Sequence, residues 1–168
     1  FQLTLVSSNT KYDKVKMGKE TFTEQEKNGL SIFRNKCASC HTEPLFTNNQ
    51  FENNGLKIDP TLNDFGRQLV TNNPEDSLKF KVPTLRNIQF TKPYMHDGRF
   101  ETLQEVINHY TSDVQHSKTV SEVLKNNIKL SHREKVDLLV FLRTLTDKEF
   151  LFDKRFTFPL KNKQPIKS

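Results

Sequence analysis

Cys37-Ala38-Ser39-Cys40-His41 contains both cysteines of this 168-residue chain. Two thiols separated by two residues and followed at once by an imidazole form the attachment signal of a c-type haem. The spacing has a chemical reason. Each thiol can add to one vinyl group along a single porphyrin edge, while the adjoining histidine reaches the iron. Cys37 and Cys40 are thus the expected thioether sites, and His41 the expected proximal ligand. A zinc site normally gathers four ligands, and the chain holds no second cysteine pair. A redox CxxC is usually met near a βαβ pattern, whereas the surroundings here read as helix. One covalent haem c is the expected cofactor, and with both thiols so used no disulfide is expected.

Composition supports a bound apolar group. Only 33 % of the residues are hydrophobic and the mean hydropathy is −0.72, little for a self-sufficient core in a single domain of this length. A haem supplies a large flat apolar body, and 14 Phe with no Trp suit packing against it. The net charge is +6 with a pI near 9.3, yet the basic residues are scattered among 20 acids, with one mild cluster at Lys161, Lys163 and Lys167. That distribution reads as a solvated surface, with docking to an acidic redox partner as the sharper alternative; no nucleic-acid partner is expected. The longest strictly apolar run, Leu138 to Leu142, is far too short to span a membrane. No basic-plus-apolar leader opens the chain. Bacteria attach haem to CxxCH outside the cytoplasm, so a mature or trimmed periplasmic product is expected.

Three helices are announced by capping boxes, in which a Ser or Thr and a Glu three residues later satisfy each other's free backbone donors. The pairs are Thr23 with Glu26, Thr102 with Glu105, and Ser131 with Glu134. The first helix runs from about Glu24 into the haem motif with Gly29, Leu30 and Phe33 on one side. A mid-helix glycine costs about 1 kcal/mol relative to Ala, so Gly29 is expected to permit a close crossing. The last helix, about His132 to Leu145, places Leu138, Phe141, Leu142 and Leu145 at i, i+3, i+4, i+7 and must pack on more than one neighbour. Residues 42–91, rich in Asn, Pro and Gly, read as ordered loop with short helical turns. No internal repeat is visible. The expected architecture is all-α: a class I cytochrome c-like domain over 23–149 with long loops wrapping the haem, a linker or docking segment over 1–22, and a docking tail over 150–168.

The sixth ligand decides whether the iron relays electrons or binds small molecules. Met95, His96, His109 and Tyr110 are the candidates. After Thr102, the residues Leu103, Val106, Ile107 and Tyr110 fall at i, i+3, i+4, i+7, which puts Tyr110 on the apolar face and His109 on a more polar stripe. Arg86 carries a guanidinium suited to clamping a haem propionate through two parallel hydrogen bonds, with a surface ion pair as the plainer reading. Arg67, after Asp64 and Gly66, is a second candidate for that role.

Lys81-Val82-Pro83-Thr84-Leu85-Arg86-Asn87, then Thr91-Lys92-Pro93-Tyr94-Met95-His96-Asp97-Gly98 and Thr102-Leu103, resemble the C-terminal haem domain of bacterial di-haem cytochrome c peroxidases. The likeness continues from Leu5-Val6-Ser7-Ser8-Asn9 and Lys11-Tyr12-Asp13 to Leu145-Thr146-Asp147. The same family includes the di-haem enzymes that mature methylamine dehydrogenase. The resemblance implies half of such an enzyme: the electron-receiving haem domain, without the N-terminal domain that carries the peroxide-reducing haem. That domain, or a partner chain, is the implied acceptor, and a small cytochrome or cupredoxin the implied donor. At the position matching Tyr110 the family holds an axial Met in the peroxidases and an axial Tyr in the maturation enzymes. It also implies a calcium ion at the domain interface, held partly by backbone carbonyls matching Thr91 and Pro93; another ligand belongs to the missing domain, so calcium binds weakly or not at all here. An independent monohaem electron carrier or sensor, and a monohaem peroxidase using His96 or His109, are the competing functions.

Overall fold

A computed structural model of the chain describes residues 5–156. Six helices carry the architecture: α1 (Lys11–Lys16), α2 (Glu24–Lys36), α3 (Gln68–Thr71), α4 (Leu103–Asn108), α5 (His132–Arg143) and α6 (Lys148–Leu151). The two-residue strands β1 (Phe51–Glu52) and β2 (Phe80–Lys81) pair antiparallel, Phe51 opposite Lys81 and Glu52 opposite Phe80. All three anticipated capping boxes are present at α2, α4 and α5. A fourth opens α1, where Thr10 caps and Asp13 takes the place of the usual glutamate. The expected all-α domain with long loops is the observed one. Among the described residues no helix is long and apolar enough to cross a membrane.

Helix α2 crosses α5 at Gly29. A Cβ built there would lie 2.1 Å from the Asp137 carbonyl oxygen and 2.6 Å from Phe141 Cβ, so only a residue without a side chain lets the two backbones meet. Around this crossing Tyr12, Phe33, Phe46, Leu85, Ile107, Leu138, Phe141, Leu142 and Leu145 form the main core. Phe33, Phe46 and Phe141 stack on one another at centroid distances of 5.2–6.3 Å. The phenylalanines expected to line a haem thus build, in part, their own aromatic cluster. A smaller cluster of Val114, Val120 and Leu124 sits beneath Tyr110 and Ile128.

The segment read as a linker carries α1, and Tyr12 enters the core at 1 % exposure. Its amide donates to the Thr144 carbonyl (3.2 Å). Asn87 completes the stitching: its side chain donates to Ser7 Oγ (3.1 Å) and accepts from the Asp147 amide (2.7 Å), while Asp147 accepts from the Asn9 amide (2.9 Å). The N-terminal stretch thus docks on its own domain. Six-residue α1 was invisible to periodicity because one side chain, not a stripe, anchors it. Asn49, Asn63, Asn72 and Asn87 turn the central loops in the left-handed region, which asparagine tolerates better than most residues. The tail is described to Phe156; the basic cluster Lys161, Lys163 and Lys167 lies outside the described residues.

Candidate haem-attachment site

The pentapeptide winds off the C-terminus of α2 as a series of tight turns. The Cys37 amide donates to Phe33 O (2.8 Å), and the Cys40 and His41 amides both donate to Cys37 O (3.3 and 2.9 Å). This folding keeps both thiols and the imidazole on one short, rigid segment. Both cysteines are free. Burial pushes the Cys37 thiol up to about 12, and burial also raises Cys40. A redox CxxC works through a thiolate with a lowered pKa, so these thiols lie on the wrong side of neutrality for that chemistry. Among the described residues no three His, Cys, Asp or Glu gather to hold a metal ion, which leaves the zinc alternative without ligands.

His41 is oriented by the core. Its Nδ1 lies 3.1 Å from the carbonyl oxygen of Phe46, a residue with 0 % exposure. A carbonyl only accepts, so Nδ1 carries the proton and the lone pair stands on Nε2. Burial lowers the His41 pKa against the raising effect of the Phe46 and Pro83 carbonyls. The neutral ring is the form a metal ligand needs.

Tyr110 stands at the head of a π-helical turn (His109–Asp113) that continues α4. Such turns concentrate at functional positions. Burial pushes the Tyr110 phenol up to about 12; a hydrogen bond from Asn54 opposes the shift, and the Cys37 and Cys40 sulfurs add to it. The hydroxyl is thus held in its protonated form, with both cysteine sulfurs among its electrostatic neighbours. Two free thiols at haem spacing, a buried imidazole beside them and a phenol whose electrostatic neighbours are the two sulfurs together fit a haem c.

The other candidates divide. Met95, in the left-handed region at φ 72°, receives an N–H from Asn54 Nδ2 on its sulfur at 3.3 Å. His109, expected on a polar stripe, is 2 % exposed. The π turn changes the helical register there, and His109 Nε2 reaches the Asn54 carbonyl (3.0 Å) while its ring meets Tyr110 edge-on at 5.2 Å. It braces Tyr110 from behind. His96 stacks flat on Phe80 at 3.8 Å. Arg86 spends all five of its N–H donors inside the protein: two on Asp13 (2.8 and 2.9 Å), two on Pro44 O (2.8 and 3.1 Å) and one on Ser7 O (3.0 Å). None is left for a propionate; the guanidinium instead ties α1 to the loop behind the haem motif. Arg67 pairs with Asp76 (3.2 Å) and covers the Phe51 ring at 4.3 Å. Thr91 and Pro93 stand exposed on the loop before Tyr94. Asn54, in contact with Met95, Tyr110 and His109, was missed by sequence reasoning, because Asn53-Asn54-Gly55 reads only as a turn.

The sequence profile of a family described as di-haem cytochrome c peroxidase matches residues 13–157. The chain is 35 % identical over 150 residues to the methylamine utilization protein MauG of Methylorubrum extorquens, covering 86 % of this chain and 41 % of that protein. It is 32 % identical over 192 residues to the cytochrome-c peroxidase IdrP1 of Pseudomonas sp. (strain SCT), covering 95 % of this chain and 50 % of that one. The crystal structure of a MauG-like protein associated with microbial copper homeostasis superposes with a TM-score of 0.83 at 30 % identity, over 91 % of this chain and 52 % of the other. The chain thus spans half, or less, of the length of these relatives.

Proposed function

This chain belongs to the di-haem cytochrome c peroxidase family, and from that premise we propose that it is the electron-relaying haem c domain of a periplasmic oxidoreductase. It takes electrons from a small cytochrome or cupredoxin and hands them to a second, peroxide-reducing haem on a further domain or partner chain. The observation that carries this reading is the Cys37–His41 turn itself, both thiols free and the His41 ring held by the buried Phe46 carbonyl. When bound, the haem supplies one-electron exchange. The chain's own residues do the rest. Cys37 and Cys40 would anchor the group covalently, His41, held by Phe46 O, would ligate the iron, and Tyr110 would be the second ligand, with Met95 as the alternative. A closed face suits a relay rather than a sensor of diffusible ligands. Calcium at the Thr91 and Pro93 carbonyls remains part of the same proposal, completed by the further domain.

Optical spectra of the holoprotein, oxidised and reduced, with and without cyanide, test this reading. The wild type should resist cyanide, and Tyr110→Phe, which removes only the hydroxyl, should open the site, change the ferric spectrum and admit the ligand. Ready cyanide binding by the wild type would overturn the relay reading in favour of an open-iron module. Acid-acetone treatment should leave the haem on the polypeptide, and Cys40→Ala should impair its attachment.

A further inference from the structure

Two rival ligands of different chemistry, Tyr110 and Met95, meet at one carboxamide. Asn54 Nδ2 donates to Met95 Sδ at 3.3 Å. Asn54 Oδ1 accepts the Leu56 amide at 3.2 Å, and its backbone carbonyl takes His109 Nε2 at 3.0 Å. The amide orientation follows from this: a flipped carboxamide would turn its NH2 onto the Leu56 N–H. His109 in turn lies edge-on to the Tyr110 ring. Asn54 is thus fixed at Oδ1 by the turn and at its backbone carbonyl by the π-helical segment, which leaves its Nδ2 donors for Met95 and the neighbouring Tyr110.

The two contacts act in opposite directions. An N–H on the thioether sulfur engages one of its two lone pairs and restrains where the other can point. The brace through the Asn54 carbonyl and His109 holds the Tyr110 ring. A phenolate is a hard anionic donor that favours ferric iron, whereas a thioether favours ferrous iron and a high potential. Whichever side chain reaches the iron therefore sets the direction in which electrons run.

We propose that Asn54 is the positioning residue that selects the sixth ligand, tethering Met95 away from the haem and leaving that place to Tyr110. This rests on the haem-relay reading above. It assigns a role to a side chain that touches neither thioether nor proximal histidine.

Asn54→Asp keeps the Oδ1 acceptor for Leu56 and removes the donor to Met95; Asn54→Ser keeps a shorter acceptor and adds no charge. Both should be made in the holoprotein and read by ferric absorption and by midpoint potential. Both are expected to gain a Met-to-iron charge-transfer band, and to shift the ferric-to-ferrous ratio at fixed poise at least tenfold toward ferrous, about 59 mV for a one-electron couple. Adding Met95→Leu to either should abolish the band and bring the potential back toward wild type. Wild-type spectra and potentials in both Asn54 variants would overturn the proposal, provided Tyr110→Phe alone changes the ferric spectrum. If Tyr110→Phe changes nothing while Met95→Leu does, the assignment of Tyr110 falls first, and this selection by Asn54 with it.

Discussion

The residue that most changes meaning between sequence and structure is Arg86. Its place in a family-like motif suggested a propionate clamp, and a guanidinium offers the same planar fork to any carboxylate. In the fold that carboxylate is Asp13, with side-chain exposures of 11 % for Arg86 and 15 % for Asp13. Removing one member of so buried a pair leaves the other charge uncompensated and costs about 3–5 kcal/mol. Arg86→Met, which keeps the apolar stem, should therefore lower stability by that order in denaturant titration, with the ferric spectrum of the surviving folded protein unchanged. A shifted midpoint potential without lost stability would restore the propionate role. The cysteines and His41 were legible because their chemistry is local to five residues. Asn54 and His109 were not, since their partners lie 41 and 55 residues away along the chain.

At the scale of elements, legibility followed local energetics. A capping box satisfies backbone donors within four residues, so Thr23, Thr102 and Ser131 marked their helices whatever the fold. Gly29 was equally readable: a glycine in mid-helix is costly, and the α5 backbone against it is the reason it is there. The π-helical turn at His109 leaves no such mark, because its contacts, to Asn54 and to the Val114 cluster, are tertiary, and His109 is buried where a polar stripe was expected. The Gly29 crossing yields a clear expectation. Gly29→Ala gains about 1 kcal/mol of helix propensity, but its Cβ would meet the Asp137 carbonyl oxygen at 2.1 Å. Backbone on both sides leaves no rotamer to relieve the clash, and overpacking typically costs about 1–3 kcal/mol, occasionally more. With backbone on both sides the cost falls at the upper end of that range, so the net should be a loss of up to about 2 kcal/mol, seen as a lower denaturation midpoint and weaker retention of the α2–α5 contact in hydrogen exchange. An unchanged or raised midpoint would show that the helices separate freely.

Across the whole molecule, one corner gathers several ion pairs beside the buried Tyr12. There α1, both ends of α2 and the loop after His41 meet. Asp13 pairs with Arg86, Lys11 with Glu26 (2.7 Å), and Glu43 accepts from both Arg34 (2.7 Å) and Tyr12 Oη (2.5 Å). Burial raises the Asp13 and Glu26 carboxyls, yet the bonds from Arg86 and Thr10 and from Lys11 and Thr23 bring both below the ordinary carboxylate range. The Arg34 bond holds Glu43 low against its burial. A carboxylate with a depressed folded-state pKa contributes stability above its unfolded value, about 4, and that contribution is lost as pH falls through the folded value. Acid should therefore loosen the molecule at this corner, immediately behind the haem-bearing turn. Stability of the holoprotein, followed by far-UV circular dichroism in urea, should be level near neutrality and fall steeply below about pH 4. In Asp13→Asn/Glu43→Gln the neutral-pH stability should be lower and the acid slope flatter, since two of the groups that bind protons on unfolding are gone. Because the thioether bonds are indifferent to pH, haem should stay attached throughout, so any loss of signal reports the chain and not the cofactor. Parallel acid profiles for wild type and the double variant would place the acid-sensitive contacts elsewhere.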